Sequence, residues 1–260
     1  MEVIIPFFIA QWYLSLFCQT FFLHRYSAHK AFTMSRAAEK FFFVLTWLFQ
    51  GSNYLSAYGY GVMHRMHHAY ADTPNDPHSP KYDQNLFKMM WKTKLTYSTI
   101  TNKEVEVDQR FSEGVPQWHA FDNFARSWVS RLFWGASYFW VYWTFADAWW
   151  LWLLLPAQWL LSPIHGAIIN WFAHVYGYTN FKVGDTSKNF LPFDFLMMGE
   201  SYHNNHHKYG SRANFGGVRW HEFDPTYPII KLLDKVGVIE LVNKKEAKLK
   251  PEAKEKKVAA

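Results

Sequence analysis

Apolar residues in this chain gather in long runs near the start and again past its middle, with polar, turn-rich stretches between them. The run from Val3 to Leu23 carries no Lys, Arg, Asp or Glu. At about 1.5 Å per residue it is long enough to cross the ~30 Å hydrocarbon layer of a bilayer. A secretory leader would want a basic start and a small-residue cleavage site. This run instead follows Glu2 and ends in Phe21-Phe22-Leu23-His24, so a membrane helix is predicted over residues 3–23. The next run, Phe41 to Phe49, lies between Arg36, Glu39, Lys40 and Gln50-Gly51-Ser52-Asn53. It is too short to span and reads as a buried or interfacial helix. Residues 70–122 are polar and turn-rich, as expected of an extramembrane layer. Leu132 to Phe145, a break at Asp147, and Trp149 to Phe172 then predict a helical hairpin with arms over 132–146 and 149–172. Pro156 and Pro163 are candidate kinks in its second arm.

Charge orients these elements. There is no Lys or Arg between Arg131 and Lys182, and none in Met1-Glu2, so the basic residues fall within 25–131 and 182–257. Because basic loops stay on the cytoplasmic side, the N-terminus is predicted outside, with both long polar segments (24–130 and 174–240) in the cytoplasm. Aromatic residues are 20% of the chain, and Trp and Tyr favour membrane interfaces. The band from Phe133 to Trp152 reads mainly as such a lipid-facing belt, with lining of an acyl tunnel as the alternative. Residues 1–240 form the predicted folded domain. Residues 241–260, where Lys and Glu alternate without aromatics, form a predicted charged, disordered tail, with a weak lipid-headgroup anchor as the other reading. Nothing points to nucleic acid. The single cysteine, Cys18, cannot form an internal disulfide and reads as apolar filler.

Eight of the 13 histidines fall in three tight groups. His24 and His29 form H-x4-H at the end of the first apolar run. His64, His67 and His68 form one H-x-x-H-H, and His203, His206 and His207 form another. At about 100° per residue, each H-x-x-H-H crowds three imidazoles onto one helical face. Packing gains little from that, and three imidazolium charges would repel, whereas neutral imidazoles around a metal resolve both problems. The orientation drawn from charge places all three groups on one side of the membrane, as a shared site requires. His174, with Asn170 one helical turn earlier, is a ninth candidate from the end of the hairpin. His78, His119, His165 and His221 lack such partners; His165 reads as a hydrogen-bonded group inside the bundle and His78 as part of an ordered turn. Imidazole suits Zn, Cu, Fe and Ni alike, but eight or nine ligands exceed what one ion needs. The predicted fold class is therefore all-α: an integral membrane protein with a cytoplasmic helical cap holding a histidine-rich di-metal site.

Three stretches carry a resemblance to a known family. They are His24-Arg-Tyr-Ser-Ala-His29, His64-Arg-Met-His-His68 running on through Asp76-Pro-His78, and Gly199-Glu-Ser-Tyr-His-Asn-Asn-His-His207, with Arg219-Trp220 beyond. Over roughly residues 20–240 the chain resembles the membrane fatty acid desaturases, in particular the acyl-CoA and acyl-lipid Δ9 branch. The resemblance implies two iron ions held by His24, His29, His64, His67, His68, His174, His203, His206 and His207, with Asn170 reaching one iron through water. It implies O2-dependent desaturation of a long saturated acyl chain linked to CoA, lipid or a carrier protein, in a membrane, expected to be a bacterial cell membrane. No cytochrome b5 domain is read in the chain, so electrons are expected from a separate carrier such as ferredoxin or cytochrome b5 with its reductase. The chain departs from the family in having one apolar helix before the first box, where relatives have a hairpin. It also has Lys81-Tyr-Asp-Gln-Asn-Leu-Phe-Lys88 where relatives continue with an aromatic stretch. Two other readings stay open. One is a di-iron hydroxylase acting on an alkyl, sterol or carotenoid substrate. The other is a non-enzymatic membrane carrier of metal or haem.

Overall fold

The computed structural model describes residues 1–83, 85–243 and 249–252. Helix α1 (Ile4–Phe17) does not stop where its apolar run stops: it continues as a π-helix over Cys18–Ala28. Together they make a 25-residue rod that ends five residues beyond the predicted Leu23. Among the described residues it is the one unbroken helix long and apolar enough to cross a membrane. Strand β1 (Phe32–Met34) follows and pairs antiparallel with β2 (Ile239–Leu241), Phe32 opposite Leu241. The first residue of the segment read as a tail is thus in a sheet; residues 244–248 and 253–260 of that segment lie outside the described residues.

Helix α2 (Arg36–Gln50) starts where the Ser35 hydroxyl accepts a hydrogen bond from the Ala38 N–H at 3.2 Å. Phe42, Phe43 and Thr46 are buried while Phe41, Val44 and Leu48 are exposed, so the short apolar run is half-buried along its length. It ends at Gly51, whose φ of 56° and position against the Tyr138 hydroxyl admit no side chain. Helices α3 (Ala57–Tyr70) and α4 (Leu86–Thr101) follow, the second capped by Asn85 accepting from the Lys88 N–H at 3.0 Å. Two short helices, α5 (Gln109–Ser112) and α6 (His119–Ala125), lead to α7 (Trp128–Phe145), the first hairpin arm.

The second arm is not one helix. A 3-10 turn (Trp149–Leu153) leads into α8 (Leu154–Trp159), then α9 (Leu161–Ala167), a π-helical turn (Ile168–Phe172) and α10 (Ala173–Val175). The two halves meet at Leu160 with a bend of 72°. Pro163 sits in the first turn of α9, where the missing N–H has no partner to lose, and Pro156 lies in the first turn after the 3-10 segment gives way to α8. Helices α11 (His203–Lys208) and α12 (Thr226–Lys235) are the last among the described residues and lead to β2.

Aromatic packing ties these pieces together. Phe21, Phe22, Phe32, Phe42 and Phe43 form one core with Ile230, Ile239 and Leu241, joining the π-helix to α2, the sheet and α12. Ile4, Tyr138, Tyr142, Leu151 and Leu155 bind α1 to the hairpin. Inside that second core the buried amides of Gln11 and Gln158 bridge the Tyr138 and Tyr142 hydroxyls. His165, expected to be hydrogen-bonded, is not: it is fully buried, and neither ring nitrogen has a hydrogen-bond partner. Its ring stands edge-on to Trp12, centroids 4.5 Å apart, an aromatic neighbour that has no acceptor to offer.

Candidate metal centre

The first histidine pair is brought together by the π-helix. In an α-helix, residues five apart point about 140° away from each other. Here the His29 N–H donates to the His24 carbonyl at 3.1 Å, the i→i+5 bond of a π-turn. The turn lays one imidazole beside the other, ring centroids 5.0 Å apart. H-x4-H is thus a poor motif for an α-helix and a good one for a π-helix.

The two H-x-x-H-H groups do lie on helices, α3 and α11, but each is divided between two clusters. His24, His29, His64, His68 and His206 form one, and His67, His174, His203 and His207 the other. The division follows helical geometry: the i, i+4 pair of α3 joins the first cluster, and the i, i+4 pair of α11 joins the second. The third histidine of each helix crosses to the opposite cluster. The clusters adjoin, the His68 and His207 rings lying 4.5 Å apart. Every histidine expected at a metal from the sequence lies in one or the other.

All nine present Nε2 inward. The close pairs are His24 and His206 at 2.9 Å, His29 and His64 at 2.8 Å, His64 and His68 at 3.0 Å, and His68 and His206 at 2.9 Å. In the second cluster they are His174 and His203 at 3.0 Å and His67 and His207 at 3.3 Å. A metal bound to imidazole at about 2.0–2.1 Å holds neighbouring donors about 2.9–3.4 Å apart, from right-angle to tetrahedral arrangements. The donor spacing fits two metal ions. Burial first, and then the neighbouring imidazoles, hold His29, His64, His68, His203, His206 and His207 well below the ordinary histidine value. Their rings are neutral at pH 7.

For four of the nine, the partner of the outer nitrogen explains why Nε2 faces inward. His24 Nδ1 lies 2.6 Å from Glu200, His67 Nδ1 2.9 Å from Asp76, and His207 Nδ1 2.8 Å from Asp185. His174 Nδ1 lies 3.2 Å from the Thr186 hydroxyl. A carboxylate keeps the proton on Nδ1 and leaves the Nε2 lone pair for a metal. Glu200 is itself held by Thr20 and by Arg25, which is fully buried. Arg25 donates to Asp224 at 2.7 Å and to the Ala213 carbonyl at 2.8 Å, and lies over the Phe215 ring. Burial pushes the Glu200 carboxyl up, but His24, Arg25 and Thr20 outweigh it and hold it below its usual value. Sequence reasoning assigned no role to Glu200, Asp185, Thr186, Arg25 or Asp224. The first stands in the third motif, while Asp185 and Asp224 come from loops with no distinguishing pattern.

A cavity of about 1070 Å³ ends beside the first cluster, separated from His64 by the Tyr60 ring. Tyr60, which stacks on His64, Met63 and Asn170 line it near the histidines, and Gly135, Ala136 and Phe139 line it within the hairpin. Asn170, on the second π-turn, therefore faces the cavity. Most of the aromatic band points outward: Phe133, Trp140, Trp143 and Trp149 are exposed. His78 is buried and stacks on His67 at 4.4 Å, beside the second cluster rather than in it. His119 lines a separate polar cavity of about 400 Å³, and His221 bonds to the Pro192 carbonyl at 2.7 Å. Of the Arg219-Trp220 pair, the guanidinium braces Asn180 at 2.6 Å while the indole is exposed.

Known proteins resemble this chain in sequence. The family model for fatty acid desaturases matches residues 3–237. The chain is 26% identical over 253 residues to a hex-5-enoyl-[acyl-carrier protein] acetylenase of Moorena producens (strain JHB), covering 93% of this chain and 77% of that one. It is 26% identical over 223 residues to Delta-9 acyl-lipid desaturase 1 of Arabidopsis thaliana, covering 83% and 67%. To an acyl-CoA 5-desaturase of Anemone leveillei it is 26% identical over 231 residues, covering 86% and 66%.

Proposed function

The chain belongs to the fatty acid desaturase family, and from that premise we propose that it removes two hydrogens from a long saturated acyl chain, at Δ9, using a histidine-held iron pair. The observation that carries this reading is the convergence of nine imidazole Nε2 atoms in two adjoining clusters, with a largely apolar cavity next to the first, across the Tyr60 ring. His24, His29, His64, His68 and His206 would hold one iron. His67, His174, His203 and His207 would hold the other, with Asn170 reaching one of the two through water. Two irons supply reductive activation of O2, the oxidant for adjacent methylenes, and electrons come from a separate carrier such as ferredoxin or cytochrome b5.

What the chain does follows from its own residues. Glu200, Asp76 and Asp185 keep their histidines in the tautomer that presents Nε2. Neutral imidazoles leave the positive charge on the metals, which suits a strongly oxidising centre. Tyr60, Met63 and the hairpin stripe of Gly135, Ala136 and Phe139 lay an acyl chain past the clusters and keep bulk water from it. In this reading α1 and the hairpin cross the bilayer, the clusters lie on the cytoplasmic face and the N-terminus is outside. The absence of Lys and Arg from residues 132–181 supports that orientation.

The test is expression in a host that makes no unsaturated lipid. Purified protein is expected to hold two irons per chain, and the host to gain an alkene that the variant His64→Ala does not make. A product heavier by one oxygen, rather than lighter by two hydrogens, replaces desaturation with hydroxylation. A haem absorption band in place of iron bound by histidine removes the enzyme reading altogether.

A further inference from the structure

The cavity is not sealed from the side. Three of its wall residues on α7 also face outward: Trp128 is 76% exposed, Leu132 65% and Phe139 46%. The opposite wall is α4, where Met90, Thr93, Lys94, Tyr97 and Ser98 line the cavity. Immediately around the helix from that face runs a stripe of large apolar residues, Phe87 at 84% exposed, Trp91 at 62% and Leu95 at 46%, spaced i, i+4, i+8. The sequence placed α4 in a polar layer because its lysines mask this stripe. Trp, Phe and Leu on one face with Lys on its flanks is the pattern of a helix lying in a membrane interface. The gap between α4 and α7 is thus apolar, outward-facing and continuous with the hairpin face that the proposed function places in lipid.

Its charge is one-sided. Lys94 and Arg131 line the cavity, and no Asp or Glu does so among the described residues. Lys94 is exposed, its ammonium 4.7 Å from the Trp91 ring. Arg131 is held at the edge by the Ser52 carbonyl at 2.8 Å and the Arg126 carbonyl at 3.2 Å. Two cations above an apolar slot match a phosphate above an acyl chain.

We infer that the gap between α4 and α7 is a side entrance from the bilayer, through which the acyl chain of a membrane phospholipid enters the cavity beside the first histidine cluster while Lys94 and Arg131 receive its phosphate. This rests on the desaturase reading and adds to it the carrier of the acyl chain. The two can fail separately.

The experiment uses the full chain, loaded with iron, in lipid nanodiscs of phosphatidylglycerol bearing a photoreactive diazirine midway along one acyl chain. After illumination, labelled peptides are located by mass spectrometry. Label is expected in residues 90–98 and 128–139. Gly135→Leu should abolish it, because a Cβ at Gly135 meets only the Trp159 indole at 3.8 Å and the rest of the side chain enters the cavity. Ala136→Leu serves as a second block should the first fold poorly. Lys94→Glu should cut the label severalfold and Lys94→Arg should restore it. Label confined to the outward residues Trp140 and Trp143, or unchanged by either block, overturns the entrance. So does labelling of the cavity by a diazirine acyl-CoA and not by the phospholipid. Normal labelling in a protein that yields no alkene overturns the desaturase reading and leaves the entrance standing.

Discussion

Replacing Glu200 with Gln should loosen one metal and spare the other. The carboxylate accepts the Nδ1 proton of His24 at 2.6 Å and is 6% exposed, so no water replaces it readily. An amide of the same size turns either its NH2 or its weaker carbonyl towards that proton. With the NH2 facing it, the proton moves to Nε2, which lies 2.9 Å from His206 Nε2. Donation across that gap would withdraw two of the five donors of the first cluster. Loss of such an orienting partner costs about 10–100-fold in metal affinity, or about 1.4–2.7 kcal/mol. Arg25 keeps Asp224 at 2.7 Å, so the fold should survive. The assay is metal content per chain after equilibrium dialysis against graded chelator, with helicity followed by circular dichroism. The expected curve splits, with one metal leaving at 10–100-fold lower chelator and the other unmoved. Coincident loss of both metals, or a curve identical to that of the unaltered protein, would refute the assignment of Glu200 to the first cluster.

The mirror experiment is Asp76→Asn with Asp185→Asn, which should loosen the metal of His67, His174, His203 and His207 and leave the first in place in the same dialysis. Gly199→Ala should destabilise the protein by about 2 kcal/mol or more, since φ is 95° and a Cβ there meets the Asp224 carboxylate that pairs with Arg25; a thermal melt unchanged from the parent would contradict it. Metal-free protein should lose stability as pH falls from about 7.5 to about 5.5. His29, His64, His68, His203, His206 and His207 stay neutral when folded but take protons near pH 6.5 when unfolded. The unfolded chain then binds more protons, so stability present above about pH 6.5 is lost below it. The slope approaches about 1.4 kcal/mol per pH unit for each such histidine. A flat profile from melts of metal-free protein in detergent would show that these groups are not held neutral.

The helical class, the hairpin and all nine histidines could be read from residue order, because apolar runs, charge gaps and H-x-x-H-H spacing are local signals. The half-buried character of α2 also followed from run length alone. What residue order could not reveal is which histidine joins which cluster: α3 and α11 exchange one histidine each, and only their mutual packing decides that. Nor does H-x4-H announce a π-turn, since the i→i+5 bond from His29 to His24 is chosen by what packs around it. The partners of the outer nitrogens were equally hidden. Glu200 is 176 residues from His24, and Asp224 is 199 from Arg25. A carboxylate carries no mark of the ring it will meet until the chain has folded. The outward stripe of α4 was missed, and the bend of the second arm, expected at Pro156 or Pro163, falls between them at Leu160, for a related reason. Hydropathy averages over a window, whereas a bend turns on single residues and exposure depends on neighbours brought from elsewhere in the chain. Local pattern thus determined which groups could do the chemistry, and burial by distant segments decided which way each of them faces.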